Sequence, residues 1–311
     1  MIFIAGGTGF IGRHLIRTIH EKKIPARCLI RDKEKADLYK KQGFDTVTGD
    51  VTERGSLKGC LEACKMVVHL VGIIEEKGDM TFEKVHVEGT RNLVEEAKEA
   101  GVRYFFYQSA LGASLSSWAK YHRTKAEAEE IVRTSGISYT IFRPSIVIGQ
   151  GDGFTEKIKE LLSLGPVVPV PGSGDVKFQL IYVEDWVKCF LKIMDNPDAL
   201  NKVYEFGGPE YLTYNDILKE LMDSLGVKKP VVHLPIGFIK FGVPFIGGTK
   251  KIANLLGINI PTVTIEQLRL LEVDNICEID SVEKNFGFKP LAYRDALKGF
   301  IYFTTSTGQV E

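Results

Sequence analysis

The sequence predicts an α/β protein with a doubly wound parallel sheet and a smaller mixed lobe in the C-terminal part. Short β-branched runs alternate with longer amphipathic segments through the first half, a pattern typical of parallel strands joined by helical crossovers. Two runs, Met66 to Val71 and Tyr104 to Tyr107, are almost continuously apolar, as expected of strands covered by helices on both faces. After Arg143-Pro144, glycines and prolines crowd together, which marks a change of organisation.

The elements follow from this alternation. Strands are predicted at 2–5, 26–31, 44–48, 66–71, 103–108 and 138–143. Helices are predicted between them at 10–22, 33–42, 53–63, 81–100 and 118–135. Loops are expected to dominate from 149 to 174, and helical patterns return at 184–195, 213–224, 236–255 and 293–303.

Charge and cysteine usage narrow the function classes. The 40 basic residues balance 40 acidic ones, so no global field draws the chain to nucleic acid or anionic lipid. Five scattered cysteines predict no disulfide framework and favour a reducing compartment, with the cytoplasm as the expected location. Cys60 and Cys64 share a predicted helix face, but no second ligand pair follows. We therefore predict no metal site.

A glycine-rich loop follows the first predicted strand and opens a helix. Gly6 permits the tight turn, Gly9 lets the backbone approach a pyrophosphate, and Gly12 allows the helix to pack closely on the strand. Backbone N–H groups at the helix start then face the anion. We predict that the dinucleotide phosphates are bound by Gly6, Gly7, Thr8, Gly9, Phe10, Ile11 and Gly12.

The glycine-rich loop at the start of the chain and the change of pattern after residue 144 together predict two domains. Residues 1–150 are predicted to form a Rossmann dinucleotide-binding domain, and residues 151–311 a smaller substrate-binding lobe that can return the last strand and helix to the sheet. Within the lobe, the apolar stretch 231–248 holds Lys240 and two prolines, so it is too interrupted for a membrane-spanning helix. It is expected to line a pocket, or to form a peripheral contact with a membrane or a protein complex. The oligomeric state stays open.

The end of the second strand should meet the adenosine ribose of the cofactor. Arg31 and Asp32 stand there and predict different cofactors. An acid favours the free 2′-hydroxyl of NAD, whereas an arginine accommodates the 2′-phosphate of NADP. Arg31 comes first and Arg13 adds a second positive charge. We therefore predict NADP(H), with NAD(H) as the alternative. Asp50 and Val51, after the third strand, are placed to reach the adenine edge.

Several further motifs occur in order along almost the whole chain. They are Gly49-Asp50-Val51, His69-Leu70-Val71-Gly72, Val87-Glu88-Gly89-Thr90, Ser109, Tyr121-x-x-x-Lys125, Arg143-Pro144, Gly149-x-Gly151-Asp152, Pro171-Gly172-Ser173-Gly174, Tyr182-Val183-Glu184-Asp185 and Gly207-Gly208-Pro209-Glu210. With them the chain resembles the extended and atypical branches of the short-chain dehydrogenase/reductase superfamily. Its subgroup is similar to the one that contains the NADPH-binding accessory subunit of respiratory complex I. The resemblance implies further cofactor contacts from Leu70, Val71, Gly72, Pro144, Ser145 and Ile146.

Tyr121 and Lys125 are the predicted chemical centre. Four residues apart in a helical segment, they share one face. The Lys125 ammonium is expected to lower the pKa of the Tyr121 phenol and to hold the nicotinamide ribose, so that the phenol exchanges a proton near neutral pH. Ser109, at the end of the fifth strand, is expected to bond the substrate oxygen.

Two other features qualify this centre. His86 stands where the superfamily usually has an asparagine that supports the proton relay. This chain is therefore expected to use a different proton relay or none. Glu127, Glu129 and Glu130 alternate with basic residues and are expected to form a solvated helix face.

The predicted function is NADP-dependent hydride transfer on a small apolar substrate, such as a quinone-like, terpenoid or aromatic molecule. Two alternatives stay open. One is a nucleotide-sugar epimerase or dehydratase with bound NAD, which needs a more polar lobe. The other is a non-catalytic NADPH-binding subunit or redox sensor of a larger assembly.

Overall fold

A computed structural model of the chain describes residues 1–163, 165–235 and 272–306, with side chains described as far as Ile301. The chain divides into two compact units. The first comprises Met1–Pro144, Val183–Phe206 and Lys284–Gly287, and the second comprises Ser145–Tyr182, Gly207–Glu283 and Phe288–Glu311.

Strands and helices are numbered separately in chain order. The strands are β1 (Ile2–Ala5), β2 (Ala26–Ile30), β3 (Asp45–Thr48), β4 (Met66–His69), β5 (Tyr104–Gln108), β6 (Ser138–Pro144), β7 (Val147–Ile148), β8 (Val168–Pro171), β9 (Lys177–Phe178), β10 (Ile181–Tyr182), β11 (Lys202–Phe206), β12 (Leu212–Thr213) and β13 (Val231–Leu234). The α-helices are α1 (Phe10–Glu21), α2 (Lys33–Lys41), α3 (Arg54–Leu57), α4 (Gly89–Glu99), α5 (Lys120–Arg133), α6 (Gly153–Ser163), α7 (Val183–Met194), α8 (Tyr214–Leu225), α9 (Ser281–Phe286) and α10 (Tyr293–Ser306). A π-helix at Glu83–Glu88 runs directly into α4.

The first unit is built on one seven-stranded sheet. Its order is β11-β6-β5-β4-β1-β2-β3, and all neighbouring strands are parallel. The predicted doubly wound α/β fold is therefore confirmed. Between β1 and β4 the order of the strands reverses, and the carboxyl ends of the strands at such a switch point form the usual crevice for a nucleotide.

Two predicted helices of this unit differ from the structure. The helix predicted at 53–63 contains only the single turn α3, because Gly59 and Ala63 adopt positive φ angles of 76° and 62° that end helical geometry. Cys60 consequently lies in a turn and Cys64 in an irregular segment, so the two do not share a helix face. The segment predicted as one helix at 81–100 is a π-helix followed by α4.

Several elements have no counterpart among the predicted bounds, and two of them, α6 and β11, are important for the fold. The loop-rich prediction for 149–174 overlooked α6, which buries Ile158 and Leu162 on one face. Asp152 stabilises its start, since one carboxylate oxygen accepts from Thr155 N at 2.6 Å and the other from Gly149 N at 2.9 Å. A last strand returned from the C-terminal part was expected, but without bounds. Strand β11 pairs with β6 and completes the sheet.

In its described residues, the second unit has three short strand pairs with helices around an apolar cluster. Strands β7 and β10 pair in parallel, as do β8 and β13, whereas β9 and β12 are antiparallel. The core includes Ile148, Ile158, Val168, Val170, Phe178, Ile217, Leu221, Leu297 and Phe300. The predicted helix at 236–255, and all of the apolar stretch 231–248 beyond Pro235, lie outside the described residues. Among the helices that are described, none has the length and apolar character needed to cross a bilayer.

Candidate cofactor and active site

The glycine-rich loop joins β1 to α1 at the switch point of the sheet. Gly6 has a φ of +91°, and a β-carbon there would lie 2.9 Å from backbone atoms of both Leu70 and Val71. A β-carbon at Gly12 would overlap the Gly6 carbonyl oxygen and lie 2.7 Å from Gly7 Cα. The fold itself therefore requires glycine at positions 6 and 12.

Gly9 has a different reason to be glycine. A β-carbon there would meet only the Gly6 carbonyl oxygen, at 3.3 Å, so the protein leaves space beside it. Gly9 is the N-cap of α1 without a capping side chain, and the first helical turn contains no acidic residue. Thr8 and Gly9 are exposed. Free N–H groups, a positive helix end and open space together fit a pyrophosphate. Arg13 is exposed one turn later, with its guanidinium 5.8 Å from the Phe10 ring centre.

At the end of β2, Arg31 and Asp32 have different surroundings. Asp32 is the N-cap of α2, and its Oδ1 accepts from Lys35 N at 2.8 Å. Arg31 keeps 64% of its side chain exposed, with Nη1 3.6 Å from Asp50 Oδ2. Asp50 Oδ1 in turn accepts from Thr52 N at 2.9 Å. The carboxylate of Asp32 is thus used by the helix, whereas the Arg31 guanidinium faces solvent.

The other predicted cofactor contacts of this unit differ in accessibility. Val51 is only 3% exposed and belongs to the core, so its side chain is closed to solvent. Leu70 and Val71 are partly buried. Gly72 is exposed, and a β-carbon there would lie 3.2 Å from Lys125 Nζ. The structure therefore brings Gly72 and Lys125 together at the carboxyl edge of the sheet.

Tyr121 and Lys125 lie on α5, as predicted from their spacing. Lys125 is 4% exposed, and its Nζ donates to the Gln108 carbonyl oxygen at 2.8 Å. The same Nζ lies 5.0 Å from the centre of the Tyr107 ring. Tyr121 is partly buried beside it on the helix. The two side chains are therefore placed on one helical face.

The electrostatics of this pair differ from the expectation. Burial lowers the pKa of Lys125 to about 7, although the carboxylate of Glu129 works in the opposite direction. Burial also raises the pKa of Tyr121 to about 12. The predicted lowering of the phenol pKa by Lys125 is thus wrong for this structure. Tyr121 is a neutral phenol near pH 7, and Lys125 exchanges its proton there.

Lys125 gives the folded protein a distinct pH dependence. Between the folded pKa of about 7 and the ordinary value of 10.5, the unfolded chain binds a proton that the folded chain releases, so this residue's contribution to stability rises with pH. Lys125→Met is expected to raise the free energy of unfolding of the cofactor-free protein at pH 7 by about 2 kcal/mol and to flatten this rise. Urea unfolding from pH 6 to about 10 measures both effects. The exposed Lys98→Met is the control, and equal slopes in wild type and Lys125→Met would contradict the shifted pKa.

Ser109 has a different environment from the predicted one. It is 2% exposed, and its hydroxyl donates to Glu129 Oε1 at 2.5 Å. Arg143 donates to both oxygens of the same carboxylate at 2.7 Å, and Arg133 donates to Oε2 at 3.1 Å. Arg143 also pairs with Glu205 at 2.9 Å. The Ser109 hydroxyl is therefore engaged in a buried ionic network.

This network also corrects the solvated face predicted for the helix. Glu130 is exposed, but Glu129 is 1% exposed, so only part of the glutamate run contacts water. Sequence reasoning missed Glu129 because its main partner, Arg143, lies on β6.

Pro144 ends the first unit, while Ser145 and Ile146 belong to the second. The Ser145 hydroxyl lies 2.6 Å from Asn275 Oδ1 within that second unit. The proposed cofactor contacts of these three residues stay predictions. All five cysteines are free, and the described residues contain no cluster of side chains suited to a metal.

Comparisons with known proteins agree with these features. A family model described as the NmrA-like family matches residues 1–258. The mitochondrial subunit 9 of the NADH dehydrogenase 1 alpha subcomplex from Rattus norvegicus is 34% identical over 221 residues, a match that covers 68% of this chain and 58% of the rat protein. A protein named ceramide reductase from Caulobacter vibrioides is 28% identical over 236 residues, which cover 76% of this chain and 74% of that protein.

Solved structures extend the agreement to the whole fold. The UDP-glucose 4-epimerase of Thermotoga maritima, solved with UDP-glucose, gives a TM-score of 0.73 at 18% identity and covers 99% of both chains. An NADPH-dependent quinone oxidoreductase from Escherichia coli, solved with NADPH, gives a TM-score of 0.73 at 20% identity and covers 96% of this chain and 99% of its own. At these identities the likeness is one of fold.

Proposed function

The chain belongs to the NmrA-like family, an NAD(P)-binding family of short-chain dehydrogenase/reductase type, and on that basis we propose that it is an NADPH-dependent oxidoreductase that reduces a small apolar carbonyl substrate. The choice of NADPH rests on the different surroundings of Asp32 and Arg31 at the end of β2. Asp32 is used as a helix cap, which leaves the exposed Arg31 to meet the ribose substituent. An arginine there suits a 2′-phosphate.

The substrate class is supported by apolar side chains on the loops that follow β4 and β5. Ile74, Leu115 and Trp118 expose 61%, 57% and 50% of their surfaces. Lys120, which precedes Tyr121, bonds Glu76 at 2.8 Å and so ties the start of α5 to the loop after β4. An apolar substrate would cover part of this surface, and burying it is favourable at roughly 25 cal/mol per Å². The relative named ceramide reductase supports an apolar substrate too.

The chain's own residues supply the proton chemistry. When bound, the cofactor supplies a hydride to the carbonyl carbon. Tyr121 donates its phenol proton to the carbonyl oxygen, so that the C=O bond becomes an alcohol. The resulting phenolate recovers a proton from Lys125, because an ammonium with a pKa of about 7 is a much stronger acid than a phenol with a pKa of about 12. Lys125 then takes a proton from water.

The cofactor assignment gives a direct prediction. In the wild type, NADPH is expected to bind more tightly than NADH by about tenfold, since a charge-assisted contact contributes roughly 1.5–3 kcal/mol when well formed and less at an exposed site. Arg31→Ala should remove this preference and leave NADH binding nearly unchanged. Calorimetric titration of both cofactors measures it. Arg103→Ala is the matched control, because this exposed arginine directly precedes β5 and so lies at the amino ends of the strands. Equal affinities in the wild type would contradict the assignment.

A second candidate function is a non-catalytic NADPH-binding subunit. It is favoured by the engagement of Ser109 with Glu129, which takes away the expected hydroxyl partner for a substrate oxygen. Similarity to a subunit of the NADH dehydrogenase alpha subcomplex supports it as well. Tight NADPH binding without oxidation of NADPH by ubiquinone analogues, aldehydes or aromatic ketones would favour this candidate over the enzyme.

A further inference from the structure

The π-helix at Glu83–Glu88 contains a fully buried histidine, His86. π-helical turns are rare, and they occur frequently at functional sites. This one lies immediately before α4 and packs against α5, the helix that carries Tyr121 and Lys125. Neither the proton transfer nor the cofactor contacts described above give His86 a role.

Both ring nitrogens of His86 have partners. Nδ1 lies 3.0 Å from Thr124 Oγ1, and Nε2 lies 3.1 Å from both the N and the O of Ile73. The Thr124 hydroxyl has helix carbonyls at 3.0 and 3.1 Å to which it donates, so its oxygen is left to accept from Nδ1–H. Nε2 is then unprotonated and accepts from Ile73 N–H. In this tautomer the ring bonds the Thr124 hydroxyl and the Ile73 N–H, whereas the other tautomer directs Nε2–H to the Ile73 carbonyl oxygen. In both, the ring links α5 to the backbone that follows β4.

The ring of His86 is also part of an aromatic group around the proposed proton donor. It stacks on Phe82, with centroids 5.4 Å apart and an interplanar angle of 27°. Both rings contact Tyr121 edge to face, Phe82 at 5.7 Å and His86 at 5.6 Å. The Tyr121 ring thus rests against two rings, one of which is hydrogen-bonded at both ends.

We infer that His86 is a positioning residue for Tyr121: its hydrogen bonds to Ile73 and Thr124 fix the imidazole ring against which the phenol ring packs. A β-carbon at Gly72 would lie 3.5 Å from His86 Nε2 and 3.2 Å from Lys125 Nζ, so the same stretch of backbone borders both side chains. His86 therefore joins three elements: the loop after β4, the π-helix and α5. The inference rests on the proposed function, because it states how the proton donor of that reaction is held.

His86 acts here by geometry and not by charge. Burial, helped by the nearby Lys125 ammonium, lowers the pKa of His86 to about 2, so the imidazole is neutral near pH 7. A neutral ring keeps the tautomer that bonds both Thr124 and Ile73. Protonation of Nε2 would remove the acceptor of the Ile73 N–H.

The test observes Tyr121 directly, without needing the natural substrate. Protein labelled with ¹³C at the tyrosine ζ-carbon is titrated by NMR, and Tyr121→Phe identifies the signal. In His86→Ala, water enters beside the phenol, so the signal should move and the Tyr121 pKa should fall by at least about one unit from its value near 12. His86→Gln, which retains a donor and an acceptor, should restore part of the wild-type value. Turnover with NADPH and a ubiquinone analogue should fall at least about tenfold in His86→Ala, with the NADPH Kd changed less than about twofold.

His69→Ala is the matched control, since His69 is equally buried and bonds Thr90 Oγ1 at 2.9 Å. It should lower stability but leave the Tyr121 signal unchanged. If His86→Ala does not fold, Thr124→Val replaces it in the test. This variant keeps the imidazole ring but removes its Nδ1 partner, and it should shift the Tyr121 signal in the same direction. An unchanged Tyr121 signal and pKa in folded His86 or Thr124 variants overturns the inference. If the signal depends on His86 but the wild type oxidises NADPH with no carbonyl compound, the positioning role stands and the proposed enzyme function fails.

Discussion

Tyr121→Phe is expected to lower turnover at least about a hundredfold while NADPH still binds with wild-type affinity. The variant removes only the phenol oxygen, and a positioned acid contributes about 10²- to 10⁴-fold to such a reaction. The phenol is the donor that the structure supports, because the Ser109 hydroxyl bonds Glu129 and the Lys125 ammonium bonds the Gln108 carbonyl. Stopped-flow oxidation of NADPH by an apolar quinone measures the loss.

Tyr39→Phe is the control for this experiment, since Tyr39 lies on α2 and packs against Phe44. It should turn over like the wild type. Wild-type rates in Tyr121→Phe would remove the proton donor from the proposed mechanism, even if cofactor binding is unchanged.

Glu129→Ala is expected to lower the free energy of unfolding by about 3–5 kcal/mol, the cost of removing one partner from a buried ion pair. The substitution leaves Arg143 with only the half-exposed Glu205, and it leaves the buried Ser109 hydroxyl without its acceptor. Glu129 also raises the pKa of Arg143 above its already high value, so this guanidinium stays charged and must be partnered. Urea denaturation followed by circular dichroism gives the difference.

Two companions refine the result. Glu130→Ala, one residue along on the exposed side, should change stability by less than about 0.5 kcal/mol. Glu129→Gln keeps one oxygen acceptor, so it should lose less than the alanine variant. A loss below about 1 kcal/mol for Glu129→Ala would mean that the network does not support the fold.

The parallel sheet was predictable because buried parallel strands leave nearly continuous apolar runs in the sequence, as at Met66–His69. The glycine loop was predictable too, since its glycines sit between a strand and a helix. Positions 6 and 12 are fixed by local backbone contacts, which depend little on the rest of the chain.

Glu129 and the segment after α3 show why the rest was not predictable. The charge pattern around Glu129 matches that of a surface helix, and its burial depends on Arg143, a residue that only the folded sheet brings near. The turn at Gly59 and Ala63 depends on a backbone choice that apolar spacing does not encode. Likewise, His86 is visible in the sequence as a departure from a motif, but its contact with Tyr121 arises from the π-helix.

Because β11 and α7 lie late in the sequence, the ribosome makes them after the other strands of the sheet, and this affects how the chain folds during synthesis. Strand β6 receives its second partner, β11, only after residue 206 has been made. Helix α7 supplies Trp186, whose Nε1 donates to Gln108 Oε1 at 3.0 Å. Until then, a nascent chain exposes the Phe106 and Phe142 rings that Trp186 covers, together with an unpaired sheet edge. Contacts of such long sequence separation form slowly. We therefore expect ribosome-bound chains of this protein to expose an incomplete sheet with apolar side chains and an unpaired strand edge. Molecular chaperones bind surfaces of this kind.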